Sequence, residues 1–243
     1  MIRSKFFAGL TATVAFTGVM ANAGVANALI KTQTFTDNVD LSPTDITDAL
    51  LSLQKFDGSL GELQSVTVGF GGQIIGDAQV ESLDAQAQTI TFSLGGTLEL
   101  VESSDTLDNP TFEEVVGASD SFDATAFDGN INFGGTSGKS FQGLTATLDG
   151  ENIYDDQAVL DFFTGAGGTV DFLFSTFTNS QVTGAANIAS IISTQSGANV
   201  SVTYAYLDEV PVTPPASTPE PATILGLGLF AGAGILSKKK SAQ

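Results

Sequence analysis

Of the chain's 27 carboxylates, 26 fall between residues 29 and 218, and they are the side chains there with most chemistry to offer. The densest run is Glu99, Glu102, Asp105, Asp108, Glu113, Glu114, Asp120, Asp123 and Asp128. Calcium takes about six to eight oxygens, which close carboxylates and loop carbonyls can supply. No D-x-D-x-D-G loop orders these residues, and Asp128-Gly129-Asn130 and Asp149-Gly150-Glu151-Asn152 read equally as β-turns. A solvated acidic surface is therefore the plainer expectation. No cofactor is expected, with Ca²⁺ the one exception that the carboxylates leave open.

Tyr154-Asp155-Asp156 is the second candidate. Paired carboxylates can cleave a glycosidic bond as acid and base, but they must stand about 5–10 Å apart across a cleft. Adjacent residues on one turn diverge. Sugar rings also need aromatic platforms, and the chain has no Trp and only Tyr154, Tyr204 and Tyr206 as tyrosines. With no His and no Cys, it has no Ser-His-Asp or Cys-His nucleophile, no disulfide and no structural zinc site. An enzyme is not expected. Glycan binding through Ser- and Thr-rich strands remains open.

The elements that must position these groups are strands. Residues 64–70, 89–94, 97–101, 169–175 and 199–206 alternate with period two and are rich in Thr, Val and Phe. Gly-Gly pairs at 71–72, 95–96, 134–135 and 167–168 read as turns between them. Short strands at this spacing predict an all-β domain, a β-sandwich or jelly roll. Phe70, Phe92, Phe172 and Phe174 are its expected core. Ser42-Pro43-Thr44-Asp45 signals the start of a short helix running to Leu53, and Asp155 to Phe163 a turn or two more. The uncharged stretch Asn187 to Gly197, with Ile188, Ile191 and Ile192, reads as a buried loop or short helix.

Both ends of the chain differ from this middle. Arg3 and Lys5 precede an uncharged run from Phe6 to Ala28. Ala21-Asn22-Ala23 and Ala26-Asn27-Ala28 both fit a small-x-small cleavage rule, and cleavage after Ala28 is preferred because acidic sequence follows soon. Residues 1–28 are thus expected to be a signal peptide, helical in the precursor. At the other end Pro219-Glu220-Pro221 precedes an uncharged segment from Ala222 to Leu236, then Lys238-Lys239-Lys240. That apolar segment is 15 residues, about 22 Å as a helix, short of a ~30 Å hydrocarbon core unless the lysine stems extend it. The lysines favour the cytoplasmic side, which leaves the bulk of the chain outside. Five prolines lie from Val210 to Pro221, and residues 210–218, which hold three of them, make an extended linker of roughly 30 Å.

This tail resembles the PEP-CTERM sorting signal of bacteria over residues 219–240. The resemblance implies recognition of Pro219, Glu220 and Pro221 by an exosortase, with Lys238, Lys239 and Lys240 flanking a single membrane helix, 222–236, in the precursor tail 219–243. It speaks to destination and not to activity.

The middle, residues 29–209, carries a second resemblance. Gln54-Lys55-Phe56-Asp57-Gly58-Ser59-Leu60-Gly61-Glu62-Leu63-Gln64-Ser65-Val66 is similar to the opening of the choice-of-anchor E domain. Asp161-Phe162-Phe163-Thr164-Gly165 and Val200-Ser201-Val202-Thr203-Tyr204-Ala205-Tyr206 resemble its far end. That family implies no activity. On this likeness Phe56 and Leu60 are expected core anchors and Gly61 a turn residue.

Between residues 29 and 218 only Lys31, Lys55 and Lys139 oppose 26 carboxylates, a net charge of −23. Such a surface repels nucleic acid, so none is expected as a partner. The expectation is an exported, surface or extracellular protein with a structural or adhesive role in envelope, exopolysaccharide or biofilm. Signal peptidase and exosortase are its processing partners, the membrane a transient one, and polysaccharide a further candidate. The alternative is a calcium- or glycan-binding module. A carboxylate-dependent enzyme ranks third.

Overall fold

Alternating Thr, Val and Phe favour extended backbone with one face turned inward. The computed structural model describes residues 29–208 except Asn109. Among them the chain forms nine strands, a 3₁₀ turn at Gly58–Leu60 and one short helix. The strands are β1 Ile30–Pro43, β2 Ile46–Gln54, β3 Gly61–Ser82, β4 Gln88–Glu102, β5 Phe112–Ala124, β6 Gly138–Tyr154, β7 Thr169–Thr178, β8 Gln181–Thr183 and β9 Ile188–Asp208. The helix, α1, is Gln157–Phe163, between β6 and β7.

The strands make two antiparallel sheets, ordered β1-β9-β3-β6 and β2-β7-β4-β5, with β8 also on β4. Gly96 faces Thr178 and Ser93 faces Gln181, so β8 continues β7 in the same register past Asn179 and Ser180. The sheets share one core. Phe92 of β4 packs 5.7 Å from Phe141 of β6, and Phe70 of β3 packs 6.1 Å from Phe174 of β7, ring centre to ring centre. An all-β domain of two antiparallel sheets around a common core is consistent with the expected β-sandwich.

Phe70, Phe92, Phe172 and Phe174 are all buried, as alternation predicts. Burying each is worth roughly 1.5–3 kcal/mol relative to exposure. α1 forms within the stretch expected from Asp155 to Phe163. The Asp156 side chain caps it, accepting from the Ala158 N–H at 2.9 Å, and Leu160 and Phe163 bury its inner face.

Four local expectations are corrected. Ser42 to Leu53 is not a helix: Pro43 closes β1, and Ile46–Gln54 is β2, paired with β7. Leu51 and Leu53 are buried with Ser52 between them, and this period-two burial outweighs the capping signal. The Gly-Gly pairs 71–72 and 95–96 lie inside β3 and β4 without positive φ, whereas 134–135 and 167–168 do sit in turns. Strands therefore run through the first two pairs, and β3 reaches 22 residues. Asp149 to Asn152 is likewise strand, within β6, because Gly150 leaves room for Phe112: a Cβ there would stand 2.9 Å from the ring. Asn187 to Gly197 is neither buried loop nor helix. From Ile188 on it is the first half of β9, laddered to β3 from Ser82 to Gln73, with Ile191 and Ile192 exposed.

Candidate functional site

The segment between β2 and β3 is a junction of backbone and rings. Phe56 is fully buried, 5.0 Å from the Tyr206 ring and 5.7 Å from the Tyr204 ring. Its N–H donates to the Phe163 carbonyl and its carbonyl accepts from the Gly165 N–H, both at 2.9 Å. The Lys55 ammonium donates to the Phe162 carbonyl at 2.5 Å and lies 4.4 Å from the centre of that ring. Asp57 accepts from the Ser59 N–H, which holds its carboxyl below the usual range. These bonds fasten Lys55 and Phe56 to the end of α1 and the loop after it. Phe56 is a core anchor as expected, but Leu60 is not: it is 38% exposed and lines a cleft of about 350 Å³ with Gln33, Lys55, Asp57 and Thr169. Gly61, with φ of 147°, ends the 3₁₀ turn and begins β3.

A second concavity lies on the outer face of the first sheet. Gly69 and Gly71 are alternate residues of β3, so neither puts a side chain on that face. Register sets Gly69 between Ser201 of β9 and Glu151 of β6, and Gly71 between Asn199 and Asp149. The result is an open trough of about 520 Å³, floored by backbone and walled by two carboxylates on one side and an amide and a hydroxyl on the other. The walls lean inward. A Cβ at Gly71 would stand 2.8 Å from Asn199 Oδ1 and 3.1 Å from Asp149 Oδ1, and one at Gly69 2.6 Å from Ser201 Oγ.

Acceptors and donors facing each other across a shallow floor suit hydroxyl groups or a hydrated cation. They suit catalysis poorly. Asp149 and Glu151 stand on one strand, two residues apart, on the same wall and not across a cleft. Sequence reading missed this trough because its six residues come from three strands. The visible signal was Val68-Gly69-Phe70-Gly71, glycine at alternate positions of an otherwise apolar strand.

The acidic run disperses over the fold. Glu102 is buried and accepts from the Ser104 and Thr106 N–H groups at 2.7 and 2.8 Å. Asp120 pairs with Lys139 at 3.1 Å, and this bond holds its carboxyl below the usual range. Asp123 accepts from the Thr89 hydroxyl at 2.7 Å, and Asp128 from the Asn130 N–H at 2.8 Å across a bend at Gly129. Among the described residues no group of three or more Asp or Glu converges as a metal cage. Tyr154 is half-buried, which raises its phenol pKa, and Asp156 is spent on capping α1.

Pro219, Glu220, Pro221, the 222–236 segment, Lys238, Lys239, Lys240, Ala26 and Ala28 all lie outside the described residues. Among the described residues no helix is long and apolar enough to cross a membrane. No family model, curated protein or solved structure matches the chain.

Proposed function

We propose that this is an exported surface or extracellular-matrix protein, processed at both ends and working by contact and not by catalysis. The observation that carries the reading is the order Pro219-Glu220-Pro221, apolar segment, Lys238-Lys239-Lys240, matched by Arg3, Lys5 and an uncharged run at the other end. The acidic, polar outer surface of a two-sheet domain supports it. The strand order β1-β9-β3-β6 and β2-β7-β4-β5, with β8 as an extension of β7, also supports a jelly roll, a scaffold common in lectin and capsid domains. The membrane holds the precursor transiently, and the mature domain contributes to envelope, exopolysaccharide or biofilm. Intact mass of the protein taken from the cell surface tests this. A species beginning at Leu29 and ending near Pro219 is expected, and one retaining Lys238 to Lys240 overturns the exosortase step.

The Gly69–Gly71 trough favours a second reading, a binding module for neutral glycan or Ca²⁺. Calorimetric titration of residues 29–218 with CaCl₂ and with neutral oligosaccharides tests it, and no heat at millimolar ligand removes it.

A further inference from the structure

β1 covers only part of β9. Their pairing runs from Ile30 facing Leu207 to Pro43 facing Gln195, and the Thr44 N–H makes a last bond to the Thr194 carbonyl at 3.2 Å. β9 begins earlier, at Ile188, and there it is laddered to β3 alone. Among the described residues, 188–193 have no strand partner on the other side. Ser190, Ile191, Ile192 and Ser193 are all exposed, Ile191 at 56%. Free strand edges invite pairing, and proteins blunt them with charge, proline or bulges. The strands that end the two sheets carry such charges: Asp37 on β1, Asp48 on β2, Glu113 on β5 and Lys139 on β6. The 188–193 edge has none of these devices. No charged residue lies between Asp171 and Asp208, and the register with β3 is unbroken there.

We infer that this edge docks a second copy of the chain, strand to strand. The Asn187 carbonyl accepts from Leu83, on the β3 side, and the Thr194 carbonyl accepts from Thr44, on the β1 side. Peptide groups alternate sides along a paired strand, so Ser190 and Ile192 turn their N–H and C=O groups to the open edge. An antiparallel pair with its twofold at Ile191 joins the Ser190 N–H to the partner's Ile192 carbonyl. It also joins the Ile192 N–H to the partner's Ser190 carbonyl, and the twofold repeats both bonds. The edge is complementary to itself in length too. The end of β1 bounds it on one side and the turn from β8 on the other. The twofold sets each copy's β1 end beside the other's turn. Self-complementarity thus selects the occupant, and charge permits it. Two domains of −23 repel over most of their surfaces, whereas these strands meet with no carboxylate on either. The outcome is one sheet continuous across two copies.

The test uses the full chain in detergent buffer. It has no cysteine, and in the twofold pair position 191 faces itself, so Ile191→Cys brings two thiols together. Mild oxidation in about 0.5 M NaCl, which screens the repulsion, should link Ile191→Cys into dimers about tenfold faster than Val115→Cys. Val115, on β5, is the more exposed of the two at 78%, so it reports random collision and any contact made through the chain ends. Equal linking at 115 and 191 overturns the inference. Without cysteines, sedimentation of the parent at about 0.1 mM in the same salt should show dimer. Ile191→Lys, which sets two lysines opposite each other, should return it to monomer with the unfolding midpoint unchanged. Ile192→Pro should do the same, because it removes an outward N–H and spares the bonds to β3. A monomeric parent, or a dimer that survives Ile191→Lys, overturns the docking edge.

Discussion

The Tyr204 hydroxyl of β9 donates a 2.8 Å hydrogen bond to the Gln54 carbonyl at the end of β2. This bond joins the two sheets at the point where the rings of Phe35, Phe56 and Phe163 surround Tyr204. Tyr204→Phe keeps the ring and removes the bond, so a loss of about 1 kcal/mol is expected in urea unfolding at neutral pH.

The same residue sets an alkaline limit. Burial pushes the Tyr204 phenol well above its usual value near 10. A raised folded-state pKa contributes stability that is present below the unfolded pKa and is lost as pH rises above it. Each unit above about pH 10 should therefore cost up to about 1.4 kcal/mol through this residue alone. Stability measured from pH 9 to 11 should fall less steeply in Tyr204→Phe. An unchanged slope would assign the alkaline loss to other groups.

Glu81 is fully buried, and its carboxylate accepts from the Ser137 hydroxyl at 2.5 Å and from the Phe133 N–H at 2.7 Å. Glu81→Ala leaves these donors without their acceptor in a buried site. A loss of roughly 2–3 kcal/mol is expected, with faster amide exchange at Phe133.

Gly71 and Gly96 look alike in sequence, each in a Gly-Gly pair, yet their substitutions should diverge. A Cβ at Gly96 would stand 2.6 Å from both Ile74 Cδ1 and the Phe177 carbonyl oxygen. Gly96→Ala should destabilise by about 1–3 kcal/mol through overpacking. A Cβ at Gly71 meets only the ends of surface side chains, Asn199 and Asp149, which can turn away. Gly71→Ala should leave the unfolding midpoint within experimental error while reducing any calcium or glycan heat at the trough.

Phe56→Ala should cost about 3–5 kcal/mol, because the cavity opens among Tyr204, Tyr206 and the loop after α1. Leu60→Ala, at a 38% exposed position, should cost less than about 1 kcal/mol. Comparable losses at both sites would mean that Leu60 is better packed than its exposure indicates.

Strand identity was legible wherever one face is buried, because alternation at Phe70, Phe92, Phe172 and Phe174 records that burial directly. Strand length was not. Gly71-Gly72 and Gly95-Gly96 have the composition of turns, but the demand they answer is close approach of neighbouring side chains and, at Gly95 and Gly96, of backbone carbonyls, visible only once the partner strands are known. The Ser42 to Leu53 stretch shows the converse, a good capping signal overruled by the pairing of Leu51 and Leu53 with β7. The trough was hidden for a related reason: Ser201 and Asn199 come beside Asp149 and Glu151 only through registers of β3 with β6 and β9. The terminal motifs, by contrast, are read as linear strings and need no fold.

The carboxylate of Glu81 is buried and held by donors of the chain itself, whereas carboxylates such as Glu113 and Glu114 stand on the exposed face of β5. Ionic strength thus acts on one population and not the other. Added salt shortens the reach of repulsion across the −23 surface, and it leaves the Glu81 bonds inside the fold intact. The midpoint of urea unfolding should therefore rise as salt is added, while the Glu81→Ala loss stays the same at low and high salt.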